Sequence, residues 1–196
     1  CNLPISVDTS RAEVAREAIK IGAALVNDVT GLKFDKNMAN MISSYGTPVI
    51  VGAYSKDRIS GTISSTLKAL RESIELAASA GIAENKIIVD PSIGFFRREI
   101  TNHFSTRVTG LPWYTRDQQI IRNLYKLQCF SKPISVGVSS KSFIGELFNL
   151  KLGDRLVPDL ISELKCSLAG AKILRTHHVK ETSLALKAGK LFGIGS

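Results

Sequence analysis

Short apolar runs alternate with longer amphipathic stretches along almost the whole chain of 196 residues. The runs that we predict to be strands are rich in β-branched residues and cover 3–7, 23–26, 48–51, 86–89, 133–136 and 172–174. Nearly all of their residues are apolar, which is typical of parallel strands covered on both faces. Strands that alternate with helices in this way favour an α/β fold around a parallel sheet.

The stretches between these runs have the apolar spacing of helices. They cover residues 12–21, 36–45, 64–80, 116–128, 158–169 and 181–192. Gly81 and Gly170 directly follow two of them, at the position where a left-handed helix end suits glycine. Because crossovers between parallel strands are right-handed, such βα units form either a doubly wound sheet or a closed barrel. No Gly-x-Gly-x-x-Gly turn follows a strand, which argues against a dinucleotide-binding sheet.

Composition and charge narrow the class of protein. With 44% hydrophobic residues, the chain can bury a substantial core and has the size of one domain. It contains neither an apolar run of about 18 residues nor a signal peptide, so we predict a cytoplasmic protein without a membrane partner. The formal charge of +9 comes from dispersed Lys and Arg residues without a nucleic-acid-binding motif, so we predict no nucleic-acid partner. The three cysteines lack zinc-site spacing, and Cys129 and Cys166 are predicted to be buried or inert thiols.

Polar side chains follow five of the six predicted strands, at the edge where parallel (β/α) folds bind ligands. They belong to Asp8, Asn27, Asp90, Lys141, Arg175 and His177. Each alone has an ordinary structural explanation, because Asp caps helices and turns and a loop lysine is often only solvated. Such coincidences at five strand ends are much less expected than a single one. We therefore predict that these side chains converge on one site.

The convergent side chains are chemically coherent. Ionised carboxylates accept hydrogen bonds and an Asn amide both donates and accepts, which suits a flat heterocycle with alternating amino and ring N–H groups. Lys and Arg supply donors for a carbonyl, a ring nitrogen or a phosphate. Gly94 and Gly137 would let the backbone approach a planar ring closely. The set indicates a site for an aromatic heterocycle together with an anion.

Five segments resemble, in order, the motifs of the dihydropteroate synthase family. They are PISVDTS at 4–10, GAALVNDVTGL at 22–32, DPSIGF at 90–95, PISVGVSSKSFIG at 133–145 and RTHHVKET at 175–182. The resemblance implies a (β/α)8 TIM-type barrel, with residues 1–196 forming a single pterin-binding domain of six βα units. Since eight units close such a barrel, we expect its N-terminal part to lie upstream of Cys1. The alternative is a naturally shortened subunit that another chain completes.

The implied activity is that of a transferase in folate or related pterin cofactor biosynthesis. It would condense 6-hydroxymethyl-dihydropterin diphosphate with p-aminobenzoate, or a related arylamine, and release diphosphate. By their motif positions, Asp8, Asn27 and Asp90 would hold the edge of the pterin. Phe95 and Gly137 would lie beside its faces.

The reaction itself would depend on cations and position. Lys141 would reach ring heteroatoms near the reacting carbon, and Arg175 and His177 would grip the diphosphate. Ser142, at the start of a helix, would help to place the carboxylate of the aminobenzoate. No strong base is needed, because an arylamine is already a nucleophile. The resemblance also implies Mg²⁺, whose usual ligand would lie upstream of this chain, and a possible homodimer.

The chain departs from the family pattern mainly where the second substrate should bind. Ser92, Phe96, Arg97, Ser140 and His178 replace residues that the family usually has as Gly, Gly, Lys, Arg and Asp. A long segment at 100–115 and Gly52-Ala53-Tyr54 after the third strand of this chain are further differences. The motifs therefore constrain the pterin more closely than the arylamine.

Two other functions are compatible with the same residues. A pterin-dependent methyltransferase of the corrinoid type would share the barrel and the pterin edge, but it has no diphosphate leaving group. A non-catalytic pterin-binding subunit would bind the ring without turnover. Loss of activity in Arg175→Ala separates the synthase from the methyltransferase, and turnover of any arylamine separates it from the non-catalytic subunit.

Overall fold

The computed structural model describes residues 3–100 and 102–194. Their strands are β1 (Ser6–Asp8), β2 (Leu25–Asp28), β3 (Val49–Gly52), β4 (Ile87–Asp90), β5 (Phe96–Arg97), β6 (Thr106–Arg107), β7 (Ile134–Val136) and β8 (Ala171–Leu174). Six strands form one parallel sheet in the order β1-β2-β3-β4-β7-β8, and the short strands β5 and β6 pair with each other. Each of the predicted strands is therefore present.

The order of strands in the sheet follows their order in the chain. A doubly wound sheet requires a point where this order reverses, and the sheet of the described residues has none. With right-handed crossovers, an order that never reverses places the connecting helices on one face and curls the sheet. Side chains from the ends of the two edge strands meet, since Arg175 after β8 forms an ion pair with Asp8 of β1 at 2.7 Å. The curled sheet is thus of the barrel type.

Four of the six sheet strands, β1 to β4, extend further toward their carboxyl ends than the apolar runs predict. Asp8 pairs with Asn27 in the ladder between β1 and β2, and Gly52 pairs with Asp90 between β3 and β4. The sheet ladders therefore continue through residues whose polar side chains ended the apolar runs. As a consequence, the sheet itself fixes the backbone of Asp8, Asn27 and Asp90.

The α-helices of the described residues connect the strands. They are α1 (Ala12–Lys20), α2 (Met38–Tyr45), α3 (Ile63–Ser79), α4 (Trp113–Arg122), α5 (Ser142–Phe148), α6 (Leu156–Leu168) and α7 (Val179–Leu191). Gly81 after α3 and Gly170 after α6 have φ angles of +80° and +102°, which confirms the predicted left-handed helix ends. Helix α5 was not evident from apolar spacing, but it begins at Ser142 as the family resemblance implies.

The helix predicted at 116–128 is wrong in both bounds. Helix α4 begins at Trp113, directly after Pro112, whose ring fixes φ at −59°. It ends at Arg122, and Leu124–Phe130 continues as a 3₁₀ helix. A 3₁₀ helix has three residues per turn, so the apolar spacing of this segment was assigned to the wrong kind of helix.

The change of helix type corrects the prediction for one cysteine. Three residues per turn bury Leu124 and Leu127 completely and leave Cys129 exposed. Cys129 is therefore not a buried thiol. Cys166 of α6 is buried as predicted, and burial raises its pKa to about 12, so that its thiol stays protonated at neutral pH. Cys1 lies outside the described residues.

Valines of the strands and aliphatic side chains of the helices form the core. Fully buried examples are Val26, Val51, Val89, Val136, Ile42, Leu70 and Ile120. The longest helix, α3, has Thr62 as its N-cap, whose side chain accepts a hydrogen bond from the Ser65 amide at 3.3 Å. Within the described part of the chain, none of the helices combines the length and the apolar character needed to cross a bilayer.

Candidate active site

Asp8 lies between an amide and a guanidinium at the carboxyl end of β1. Asn27 Nδ2 donates to Asp8 Oδ1 at 2.6 Å, and Arg175 Nη2 donates to Asp8 Oδ2 at 2.7 Å. Asn27 is buried, whereas Asp8 and Arg175 are each about half exposed. The three predicted site residues therefore form one hydrogen-bonded row that remains open to a ligand.

Asp28, next to Asn27, has a purely structural role. Its carboxylate accepts hydrogen bonds from the Thr30 amide, the Thr30 hydroxyl and the Leu32 amide, and the side chain is completely buried. Burial raises its pKa, which these hydrogen bonds partly offset. Asn27 thus belongs to the site, whereas Asp28 stabilises the turn that follows β2.

Asp90 has an unusual acidity for a carboxyl group. Burial raises its pKa to about 6, against hydrogen bonds from the Ser92 amide and the Ser135 side chain and the positive charge of Lys141. The Ser92 amide donates to Asp90 Oδ1 at 2.7 Å. Asp90 therefore changes its charge close to neutral pH, where it passes from a carboxyl that also donates to a carboxylate that only accepts.

Lys141 reaches back over the loop that follows β4. Its ammonium lies 4.5 Å from the centroid of the Phe95 ring. Burial lowers its pKa, while the charge of Asp90 raises it and that of Arg175 lowers it. The lysine stem passes over Gly94, where an added Cβ would lie 2.7 Å from Lys141 Cδ. Gly94 also has a φ of +86°, so both its conformation and the available space favour glycine.

Most of the predicted site residues line one small cavity at the strand ends. This inner cavity has a volume of about 30 Å³ and is lined by Asp8, Asn27, Val29, Asp90, Ile93, Phe95, Gly137, Lys141 and Arg175. Seven of the nine predicted residues are among them, which brings the carboxylates, the amide and the cations onto one surface. Val29 and Ile93 were missed by the sequence analysis, because apolar side chains beside a polar site carry no distinctive signal.

A larger outer cavity of about 330 Å³ adjoins the inner one and shares Asp8, Asn27, Val29 and Phe95 with it. Its outer wall includes His103 and Phe104 from the long segment at 100–115. His103 stacks on Phe34 with 4.2 Å between ring centroids and contacts Ser10 Oγ at 2.9 Å. The volume is within the range of small-molecule sites, and the aromatic wall suits a planar ring.

Ser142 and His177 do not line either of these cavities. The amide of His177 donates to Ser139 Oγ at 3.2 Å, and its Nδ1 lies 3.1 Å from the same oxygen. Ser139 is in turn 3.5 Å from a carboxylate oxygen of the buried Asp159, which also accepts from the Ser140 amide at 2.7 Å. His177 is therefore held by Ser139 and, behind it, by the buried carboxylate of Asp159, which the sequence analysis missed.

A buried ion pair holds the loop after β4. Arg116 and Asp117 are fully buried and lie 2.8 Å apart. The guanidinium of Arg116 donates to Pro91 O at 2.6 Å and lies 3.5 Å from the centroid of Phe96. Asp117 Oδ2 accepts from the Gly94 amide at 2.9 Å. The pair thus fixes the loop that carries Gly94 and Phe95, and the sequence analysis missed it because two adjacent charges at a helix start are usually solvated.

Two departures from the family pattern share a backbone property. Ser92 and Ser140 have φ angles of +56° and +59°, in the left-handed region that non-glycine residues rarely adopt. The Ser92 amide donates to Asp90, and the Ser140 amide donates to Asp159. In both loops, a carboxylate thus holds a strained residue in place. Strained backbone residues are common near functional sites.

Ser142 lies beside a second, more exposed set of side chains. Arg97 Nη2 donates to Ser142 Oγ at 3.0 Å, and the Arg97 guanidinium lies 4.5 Å from the centroid of the Trp113 ring. Burial lowers the pKa of Arg97, and the charge of Asp117 opposes this. This group extends the site from Lys141 toward the start of α4.

The described residues include no group of three or more His, Cys, Asp or Glu side chains that could hold a metal ion. Asp8 is already engaged by Asn27 and Arg175. The donors of residues 3–100 and 102–194 therefore do not by themselves fit Mg²⁺, which prefers several oxygen ligands.

The fold and the site define a protein of the (β/α) barrel type with polar and charged side chains gathered at the carboxyl ends of its strands. The family described as pterin binding enzyme matches residues 1–177, so the chain belongs to this family. It is 31% identical over 189 residues to a dihydropteroate synthase of Clostridium beijerinckii, covering 95% of this chain and 64% of that protein. It is 32% identical over 189 residues to the Bacillus subtilis dihydropteroate synthase, covering 94% of this chain and 60% of that protein.

Solved structures agree with this assignment. A dihydropteroate synthase from Clostridium difficile, determined in the presence of pteroic acid, matches with a TM-score of 0.83 and 31% identity, over 97% of this chain and 68% of that one. The Coxiella burnetii enzyme in complex with pteroic acid gives the same TM-score and identity, over 98% and 69%. These likenesses confirm the predicted fold class. The chain spans about 60 to 64% of the length of the first two sequence relatives.

Proposed function

We propose that this chain carries the pterin site of a dihydropteroate synthase, a transferase that joins a 6-hydroxymethyl-dihydropterin diphosphate to an arylamine and releases diphosphate. The observation that carries the proposal is the convergence of Asp8, Asn27, Asp90 and Lys141 on one cavity beside Phe95. The family and the pteroic acid named in the solved relatives support it. Residues 1–196 would act as one pterin-binding domain.

The pterin would bind by its polar edge. Carboxylates of Asp8 and Asp90 accept from amino and ring N–H groups, and Asn27 supplies both a donor and an acceptor. Phe95 and Gly137 would lie beside the ring. The present contact between Asp8 and Arg175 would be exchanged for contacts with the substrate, because both side chains are half exposed and can move.

In the reaction, the carbon–oxygen bond to the diphosphate breaks and a carbon–nitrogen bond to the arylamine forms. Arg175 would stabilise the charge that develops on the leaving diphosphate, with His177 beside it. Lys141, whose pKa burial lowers, would bind ring heteroatoms near the reacting carbon. Ser142 and Arg97 would hold the carboxylate of the arylamine. The arylamine attacks as a neutral amine and afterwards loses its proton, so the chain needs no strong general base.

Magnesium belongs to the proposal only as a companion of the diphosphate, whose charge a divalent cation would partly neutralise. The described donors do not form a cage for it, and each step assigned above depends on side chains of this chain. A cytoplasmic location is the simplest one for soluble pterin and arylamine substrates, with neither membrane nor nucleic acid as a partner. A homodimer is part of the proposal through the family resemblance alone.

The proposal is tested by following diphosphate release with protein expressed from its complete coding sequence. We expect turnover that requires both the pterin diphosphate and an arylamine. Asp90→Asn should lose pterin affinity, whereas Arg175→Ala should mainly lower kcat. Full activity of Arg175→Ala would favour a methyltransferase without a diphosphate leaving group. Pterin binding without product from any arylamine would favour a non-catalytic subunit.

A further inference from the structure

A third cavity, which we call the arginine cavity, lies next to the start of α4. Its volume is about 700 Å³, and its walls include the side chains of Arg58, Arg98 and Arg107 together with Trp113 and Tyr114. None of these three arginines has a role in the function proposed above. Three guanidinium groups around one space are a strong concentration of positive charge, and Arg is the side chain best suited to phosphate.

Adjacent extended segments bring the three arginines together. Ile59 forms a parallel bridge with Val108, so the residues that precede them, Arg58 and Arg107, lie on neighbouring segments. Arg107 also lies in β6 beside β5, and its Nε donates to Arg98 O at 3.2 Å. The arrangement is thus held by backbone pairing and is not a chance approach of long side chains.

The charge of the arginine cavity is uncompensated. In the described part of the chain, Arg58, Arg98 and Arg107 form no ion pair, whereas Arg116 and Arg175 each contact an aspartate. The walls of the cavity contain no acidic residue. Three like charges around one space repel each other, so a bound dianion would relieve this repulsion. Helix α4 begins at this cavity and has no side-chain cap, which adds the positive end of its dipole.

Trp113 connects the arginine cavity to the proposed arylamine position. Trp113 lines the cavity, and its ring lies under Arg97, which in turn donates to Ser142 Oγ. Ser142 directly follows Lys141 of the inner cavity. A simple aminobenzoate carboxylate would already be satisfied by Ser142 and Arg97, so an anion in the arginine cavity has to be carried by a longer substituent.

We propose that the arginine cavity binds a phosphate group at the far end of the second substrate, so that the nucleophile is an arylamine with a phosphate-bearing substituent. This inference rests on the proposed synthase function and deepens it. It accounts for the long segment at 100–115, which supplies Arg107 and leads to Trp113, and which the family pattern lacks. The same phosphate chemistry could instead come from the diphosphate that the reaction releases, and the experiment below separates the two sources.

The test uses protein from the complete coding sequence and two matched arylamines, N-(2-hydroxyethyl)-4-aminobenzamide and its phosphate ester. We expect kcat/KM with the pterin diphosphate to be at least about tenfold higher for the ester, as for a charge-assisted contact. Arg58→Gln and Arg98→Gln should each remove most of this preference. Arg71→Gln, an exposed cation of α3 outside the cavity, should leave both the preference and the activity unchanged.

Three other results would overturn the inference, and together they distinguish its failure from failure of the synthase function. Equal kcat/KM for the two arylamines, with turnover intact, would refute the cavity assignment alone. If the substitutions weaken product inhibition by diphosphate but not the preference for the ester, the cavity serves the leaving group. If no arylamine is turned over, the synthase proposal fails. In that case, an affinity for the ester that calorimetry finds unchanged in Arg58→Gln would also refute phosphate binding in the arginine cavity.

Discussion

Replacing Gly94 by alanine separates the two reasons for a glycine at this position. The φ of +86° costs an L-residue about 1 kcal/mol of folding free energy. In addition, the new Cβ would lie 2.7 Å from Lys141 Cδ and would displace the lysine stem. The stem can move at little cost in stability, but its ammonium then leaves the inner cavity. If Lys141 binds the substrate, losing that contact costs about 1.5 to 3 kcal/mol, or roughly 10- to 100-fold in kcat/KM.

Gly22 provides the matched control for this substitution. Its φ is +106°, and an added Cβ would meet no atom within 4 Å. Urea denaturation should therefore show a similar loss of about 1 kcal/mol for Gly22→Ala and Gly94→Ala. Steady-state kinetics should show the loss of kcat/KM for Gly94→Ala alone. Equal kinetic parameters for the two variants would refute the assignment of Lys141 to the reaction centre.

Three further predictions concern acidity, the buried ion pair and a helix cap. Because the pKa of Asp90 is about 6, pterin affinity should rise about tenfold between about pH 5 and about pH 7 as the carboxylate ionises. This rise, measured by calorimetry, should vanish in Asp90→Asn. A flat profile for the wild type would contradict the prediction. Asp117→Asn leaves the buried charge of Arg116 without its partner and should lower the free energy of unfolding, measured by urea titration, by about 3 kcal/mol. A loss below about 1 kcal/mol would show that the ion pair is not needed for stability. Thr62→Ala removes the acceptor for the Ser65 amide and should cost about 1 kcal/mol by the same measurement, and an unchanged midpoint would exclude a capping role.

The acidity of Asp90 also has a consequence for stability. Its pKa in the folded protein is higher than the ordinary value, so the folded state holds the proton more tightly than the unfolded state. The contribution of Asp90 to stability is therefore largest in acid and is lost as the pH rises from about 4 to about 6. The proposed binding of pterin to the carboxylate form would favour the opposite charge state, so that Asp90 would serve function at the expense of stability.

The sheet and the site could be predicted from the sequence because both depend on local patterns. Apolar runs identified the strands, and the parallel arrangement fixed the edge at which Asp8, Asn27 and Asp90 lie together. The choice between a barrel and a doubly wound sheet could not be made from local patterns. It depends on the order of the strands in space, which apolar periodicity does not reveal, and only the motif resemblance predicted it.

What the sequence did not reveal depends on contacts between distant segments. Arg116 and Asp117 have the sequence signature of a solvated helix start, yet both are buried because Phe96 and the Gly94 amide pack against them. Leu124 and Leu127 fit two helix types, and only packing selected the 3₁₀ form that exposes Cys129. Such features follow from tertiary packing, for which the local pattern gives no signal.

We expect the inner cavity and the adjoining outer cavity at the strand ends to bind one pterin together, with its polar edge at the inner cavity. Isothermal titration of the protein from its complete coding sequence with a pterin diphosphate, at a pH above about 7, tests it most directly when wild type is compared with Asp90→Asn and Asp57→Asn. Asp57 is an exposed carboxylate outside the cavity. We expect binding that is weakened at least about tenfold in Asp90→Asn and unchanged in Asp57→Asn. Equal affinity of all three proteins, or no binding by any of them, would contradict it.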